Sequence, residues 1–411
     1  MDEGIIKYMS VDNGVLTLDG HRLLDYIDGN PVYIVHIDTI KDNLSRLVST
    51  GVGEVRYAVK ALSRPRVLNL IRSMGLGLEV VSIYELEKAL RIGFDPGRII
   101  YNGLGKDRSI YKYLFKLGVE AINIDSEYEF KLYTGMDGWR EFNWGFRLNL
   151  GVGKKVLDTS SETSKFGLEV DRVMDLVDRY RVGRMGLHLH IGSQISDINV
   201  IVEAIQKLRK VIDMLESRGV DITYLDIGGG IPKNYLSAPI DIPIEGEIDI
   251  SLFKPNYTLD EWARLVKNHL GRYRIYVEPG RYVVADSTIL LSKVVGVKDR
   301  LSGVRWIYLN IGVNYVTSQL IYKWYYPMVN VSKSSQPHNH PFRVGGILCD
   351  SDDIFHDYEG EKVGMARLPR YRHLPSRTSP GDVIALLHVG AYNIEGFMRY
   401  NSHPDPIVRY V

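Results

Sequence analysis

The sequence predicts an α/β fold, a closed (β/α)8 TIM-like barrel followed by a C-terminal all-β barrel or sandwich domain. Three observations predict it. Short apolar strands alternate with amphipathic helical stretches from about residue 32 to 285. About eight or nine such units share about 250 residues, which suits a closed barrel better than an open sheet. Beyond about residue 286 the long helical stretches stop and strand-like runs continue.

The strands, in order, are "VYIVHI" (32–37), "VRYAVKA" (55–61), "GLEVVS" (77–82), "IIYNG" (99–103), "AINID" (121–125), "NWGFRLN" (143–149), "MGLHLHIG" (185–192), "YLDIGG" (224–229) and "RIYVEPG" (274–280). Nearly continuous apolar runs of this kind suit strands buried on both faces, as in parallel sheets. Between them "RVLNLIRSMG", "IYELEKALRIG", "IYKYLFKLG" and "VIVEAIQKLRKVIDMLESRG" carry apolar residues at helical spacing. Each ends at glycine, which accepts the left-handed backbone that stops a helix.

In the tail, "STILLSKVVGVK", "RWIYLNIG", "FRVGGILC", "DVIALLHVG" and "PIVRYV" read as strands. Residues 1–31, with "NGVLTLDG", are strand-like too and are expected to pair with this tail domain. The expected division is therefore a barrel over 32–285 and a β domain from 1–31 and 286–411. "SAPIDIPIEGEIDISLFKPN" (237–256) has three prolines and few helix signals and reads as a surface insertion.

Composition excludes several classes. The chain has 411 residues, enough for about two domains, with 51 Lys plus Arg against 50 Asp plus Glu. That balance gives no surplus for nucleic acid or a membrane surface. The single cysteine, Cys349, cannot form an internal disulfide and suits a reducing compartment. No apolar run is long enough to span a bilayer, and the first residues lack a signal peptide's pattern, so a cytoplasmic protein is expected.

Chemistry concentrates where a barrel builds its site, at the C-terminal strand ends. Lys60 closes an apolar strand, where a bare ammonium must be solvated, paired or used. "DIGGGI" (226–231) is either a tight turn or a phosphate cradle, since Gly228, Gly229 and Gly230 place no Cβ before their N–H groups. In "EPGR", Arg281 is a natural phosphate partner, while Glu278 is either a surface charge or a functional carboxylate. "GLHLHIGSQ" sets His188 and His190 on one side of a strand. No third ligand recurs at a recognisable spacing, so no metal is expected. His188 suits a hydrogen-bonded core position and His190 a ring stacked on a planar ligand. Together, a lysine, a glycine-rich turn, an arginine, a carboxylate and a stackable imidazole fit pyridoxal 5'-phosphate. Lysine would form the Schiff base and glutamate would keep the pyridine nitrogen protonated.

With these residues in place, the chain resembles the fold-type III pyridoxal-phosphate decarboxylases, diaminopimelate decarboxylases above all. The ordered motifs are "YAVKA" (57–61), "GLGLEVVSIYEL" (75–86), "SKFGL" (164–168), "GLHLHIGSQI" (186–195), "DIGGG" (226–230), "EPGR" (278–281), "CDSDD" (349–353) and "GAY" (390–392). The resemblance implies that Lys60 is the Schiff-base lysine, His190 stacks on the ring and Glu278 meets the pyridine nitrogen. It implies phosphate contacts from Ser193, Gly228, Gly229, Gly230, Arg281 and Tyr392, and substrate contacts from Asp350, Ser351, Arg281 and Tyr392. Cys349 is similar to the residue that returns a proton to the substrate from the neighbouring subunit, which implies a homodimer with shared active sites.

Three positions depart from the diaminopimelate pattern. Asp350 stands where glutamate usually follows the cysteine. Tyr326 precedes Pro327 where an arginine binds a substrate carboxylate, with Lys323 and Arg343 as the nearby cations to replace it. Glu79 replaces an aspartate. The expected reaction is decarboxylation of meso-diaminopimelate to L-lysine, a step of lysine biosynthesis. The alternatives are a decarboxylase of lysine, ornithine, arginine or carboxynorspermidine, and a non-catalytic regulator of the same fold. Racemisation ranks below these, because "CDSDD" occupies the place of the opposed tyrosine base.

Overall fold

In the computed structural model, residues 4–152, 159–160, 163–237, 248–357 and 368–411 are described. The chain divides into two compact units. One comprises Leu44–Pro232 and Pro255–Gly280, the other Met1–Asn43, Lys233–Lys254 and Arg281–Val411.

The first unit is the barrel. Its strands are β1 (Glu54–Ala58), β2 (Gly77–Val80), β3 (Ile99–Tyr101), β4 (Ala121–Ile124), β5 (Trp144–Asn149), β6 (Arg184–His188), β7 (Asp221–Asp226) and β8 (Ile275–Val277). Every neighbouring pair is parallel, and β8 returns to β1 through Tyr276↔Glu54 and Val277↔Val55, closing the ring. Helix boundaries follow local chemistry. Ser82, Asp107, Ser126 and Thr258 each accept a backbone N–H in the first turn of the helix they precede, and Gly93 and Gly118 end helices at φ 89° and 68°. Inside the ring Tyr224 needs space: a Cβ on Gly186 would lie 2.2 Å from its ring. That explains glycine within an otherwise bulky strand.

The second unit is a mixed sheet in the order Met328–Asn330, Val383–Leu386, Thr288–Asp299, Arg305–Leu309, His340–Gly345, Arg372–Leu374. The segment Val32–Val35, expected as the first barrel strand, belongs here instead. It runs antiparallel to Thr288–Leu291 and parallel to Ile407–Tyr410. Its four residues are all buried, so a central strand of either sheet would show the same apolar run. The N-terminal segment also differs from expectation. Met9–Asp12, Val15–Leu18 and His21–Arg22 form their own three-stranded sheet. It joins the second unit through packing, with Ile5, Leu16, Leu18 and Leu23 in one core with Ile289, Leu291 and Val383. The insertion read at 237–256 lies partly outside the described residues. Its end, Ile250–Phe253, is a short helix with Leu252 and Phe253 buried, not a surface segment. No described helix is long and apolar enough to cross a membrane.

Candidate active site

A cavity of ≈ 410 Å³ opens among the barrel strand ends, lined by Lys60, Glu79, Val81, Asn102, Leu104, Arg147, Thr159, Phe166, His188, His190 and Glu278. Its size falls within the usual range of small-molecule sites, roughly 300–1,000 Å³. Five residues read from sequence, Lys60, Glu79, His188, His190 and Glu278, thus share one cavity.

Lys60 leaves β1 in a single turn, Val59–Ala61. Its ammonium is partly exposed and lies 3.0 and 3.2 Å from the two oxygens of Glu79. Glu79, on β2, is buried. Burial above all, helped by the charge of Glu278 and opposed by Lys60, pushes its carboxyl up to about 7.

Glu278 follows β8 and is buried. Burial alone would raise it, but His188, Lys60 and a hydrogen bond from Asp226 outweigh that and hold it below the ordinary carboxylate range. Asn102 Nδ2 donates to Glu278 Oε1 and, at 3.3 Å, to Glu79 Oε1. Behind it, Asn123 Nδ2 donates to Asn102 Oδ1 at 2.8 Å and Tyr224 Oη to Asn123 Oδ1 at 2.7 Å. A carboxylate so surrounded is suited to hold a protonated ring nitrogen.

The two histidines diverge in role. His188 Nε2 is 3.4 Å from Glu278 Oε2, and burial lowers its pKa. His190 Nδ1 accepts the N–H of Gly229 at 3.1 Å, which leaves its proton on Nε2. Burial, with Arg147 and Lys60 near, holds His190 far below the usual range, so the ring is neutral. A neutral flat ring on the cavity wall suits stacking.

The glycine turn is built around that histidine. Gly228 has φ +65° and a Cβ there would meet His190 Nδ1 at 2.7 Å; one on Gly229 would meet the carbonyl of Glu278 at 2.4 Å. The glycines are therefore demanded by the chain's own close approach, while Glu278 N–H donates to Gly228 O at 2.8 Å. Ser193 is half-buried in the loop after β6.

Sequence reasoning overlooked Arg147, Asn102, Asn123 and Asp226. Arg147 stacks on Phe166 at 4.1 Å and lies 3.8 Å from Asp125. Its Nε and the Nδ1 of His188 are buried without a hydrogen-bond partner among the described residues. Such atoms on a cavity wall suit a polar occupant. A guanidinium inside "NWGFRLN" is the same signal that singled out Lys60.

The other predicted residues lie in the second unit. Arg281 is buried, donates to Tyr235 Oη at 2.7 Å and stacks against Trp324 and Tyr392 at 4.6 and 5.1 Å. The structure thus brings Arg281 and Tyr392 together. Cys349, Asp350 and Ser351 occupy an exposed turn; Cys349 N–H donates to Asn401 and Tyr400 Oη to Asp350 at 3.3 Å. Tyr326 is buried, with its hydroxyl accepting from Asn393 at 2.9 Å.

Comparison with known proteins gives a consistent result. Residues 37–285 match the pyridoxal-dependent decarboxylase, pyridoxal binding domain, and residues 210–390 match the pyridoxal-dependent decarboxylase, C-terminal sheet domain. The diaminopimelate decarboxylase of Methanothermobacter thermautotrophicus is 30% identical over 96% of this chain and 90% of its own. The crystal structure of diaminopimelate decarboxylase from Methanocaldococcus jannaschii in complex with L-lysine superposes with a TM-score of 0.81 at 25% identity, covering 98% of this chain and 92% of that one. The Helicobacter pylori enzyme with L-lysine gives 0.77 at 26% identity, over 94% and 93%.

Proposed function

The chain belongs to the pyridoxal-dependent decarboxylases, and from that premise we propose that it decarboxylates meso-diaminopimelate to L-lysine with pyridoxal 5'-phosphate as cofactor. The observation that carries the reading is the convergence of Lys60, His190 and Glu278 on one cavity. Relatives named diaminopimelate decarboxylase, two of them solved with L-lysine, support the substrate.

The residues fit the cofactor. Lys60 would tether it, His190 would stack on its ring, and Glu278 would hold its ring nitrogen protonated. Gly230 and Ser193 would receive the phosphate, with Arg281 and Tyr392, whereas the N–H groups of Gly228 and Gly229, also expected to meet it, are given to Asp226 and His190. Once bound, the cofactor supplies a ring that accepts the electron pair left when carbon dioxide departs.

The chain's own groups do the rest. Glu79 holds the Lys60 ammonium in place and buffers the proton that Nζ must give up before it can act as a nucleophile. The ionised Glu278 keeps negative charge at the site where a ring nitrogen's proton must stay. Cys349 of a second subunit would return a proton to the substrate's α-carbon, and Asp350 would grip the distal amino group. Their exposure within one chain suits service to a neighbour's site, so we propose a homodimer, in the cytoplasm.

A second reading, a decarboxylase of lysine, ornithine or arginine, draws on one observation: Tyr326 is buried and hydrogen-bonded where the family carries a carboxylate-binding arginine. Carbon dioxide release from purified enzyme separates the two. Diaminopimelate should be turned over at least about a thousandfold better than the other three, because a site built to pair a distal carboxylate rejects analogues that leave it unpaired. Comparable turnover of any of the three overturns the substrate assignment.

A further inference from the structure

The last residue of β7, Asp226, reaches the same buried centre as Glu278 from the neighbouring strand. Backbone pairing fixes the approach: Ile227 N–H donates to Tyr276 O at 3.0 Å and Glu278 N–H to Gly228 O at 2.8 Å. Asp226 Oδ1 accepts the N–H of Gly228 at 2.9 Å, and Oδ2 accepts from Asn123 Nδ2 at 3.3 Å. One carboxylate oxygen from each acid and a ring nitrogen of His188 all lie within 4.8 Å of one another, so the two buried acids are immediate neighbours. Two buried carboxyl groups this close are not both ionised, because like charges in one desolvated site repel; one carries a proton.

The surroundings decide which. Glu278 faces Lys60 from the turn after β1, His188 from β6 and the amide donor of Asn102 just after β3. Asp226 faces the carboxylates of Glu278 and Glu79, with the amide N–H of Asn123 and the Gly228 N–H as its donors. Arg147 and His190 also border this centre. The Lys60 ammonium and the Asn102 amide thus favour charge on Glu278, and burial with two neighbouring acids favours the proton on Asp226.

We propose that Asp226 is a constitutively protonated acid that donates a hydrogen bond to Glu278, fixing that carboxylate as an oriented anion toward the cofactor's ring nitrogen. It is a positioning residue. The proposal rests on the reading of Glu278 given above. The "DIGGG" segment then serves twice, placing the glycine turn and supplying the acid that tunes the carboxylate beside it. Consistent with this, burial and the charge of Glu278 raise Asp226 well above the ordinary range.

Two measurements test it. In cofactor-free protein at about pH 9, where Glu79 and Asp353 (near 7 and 6) are ionised, infrared spectra should retain the carbonyl stretch of an un-ionised carboxylic acid. Asp226→Asn should abolish that band. In the second measurement, pyridoxal phosphate affinity is titrated by absorbance. Asp226→Asn keeps a donor and an acceptor in place and should hold the cofactor within about threefold, whereas Asp226→Ala removes the donor to an anion and should weaken it about 10- to 100-fold. Absence of the band, its persistence in Asp226→Asn, or equal losses in the two variants would overturn the proposal. Failure of the wild-type protein to take the cofactor would sink the functional reading instead, since the infrared result needs no cofactor.

Discussion

Replacing Glu79 with glutamine should flatten the pH dependence of stability in the cofactor-free protein. Glu79 is buried, and its carboxyl moves from 4.5 to about 7, first through burial and then through the charge of Glu278. The folded chain therefore holds a proton that the unfolded chain releases once pH exceeds 4.5. Stability from this group is complete below about 4.5 and is lost as pH rises to about 7. A shift of this size corresponds to about 3 kcal/mol. Urea unfolding of both proteins at about pH 5 and pH 8 reads it, and the comparison of interest is the difference between the proteins at each pH. The glutamine variant should gain about 2–3 kcal/mol relative to wild type on going from about pH 5, where a part of the effect is already spent, to about pH 8, whatever its starting stability. Parallel behaviour of the two proteins would show that Glu79 is ionised throughout, and with it the idea that it buffers the Lys60 proton would fall.

Three further outcomes are expected. Glu120 accepts from Arg56 Nε and Nη2 at 2.6 and 2.7 Å, Arg274 Nη2 at 3.0 Å and Tyr276 Oη at 2.9 Å, where β8 meets β1; Glu120→Ala should cost about 3–5 kcal/mol, because Arg56 stays buried without its main partner, read as a lower urea midpoint. Gly229→Ala puts a Cβ 2.4 Å from the Glu278 carbonyl, so it should shift the strand that carries Glu278 and weaken cofactor binding about tenfold or more, measured by absorbance titration; wild-type affinity would show that the turn yields without cost. Asp350→Ala should raise KM for the substrate while leaving cofactor affinity in place, and an unchanged KM would remove Asp350 from substrate recognition.

The barrel is legible in the sequence because each parallel strand is buried on both faces and so reads as a short apolar run. Lys60 and Glu278 are legible because each is an ionisable group at the end of such a run. Val32–Val35 is misplaced for the same reason: burial on both faces says nothing of which sheet supplies the neighbours. Asn102 directly follows β3, and Asn123 and Asp226 lie on β4 and β7, at positions about 20 to 120 apart in sequence. Only closure of the ring turns them toward one another, and a neutral amide in a strand carries little signal of its own. The glycine turn is a related case. Its sequence permits both a tight turn and a phosphate cradle, and the geometry shows that the turn is required by His190 and Glu278 themselves. Asp226 opens that motif, yet its partnership with Glu278 depends on the β7–β8 pairing.

Borohydride reduction of freshly purified protein, followed by peptide mass mapping, bears most directly on whether Lys60 carries the cofactor. The expected result is a reduced pyridoxyl-phosphate adduct on the peptide containing Lys60, lost in Lys60→Ala. An adduct confined to another lysine, such as Lys106 or Lys233, or none even after the coenzyme is supplied, would contradict it.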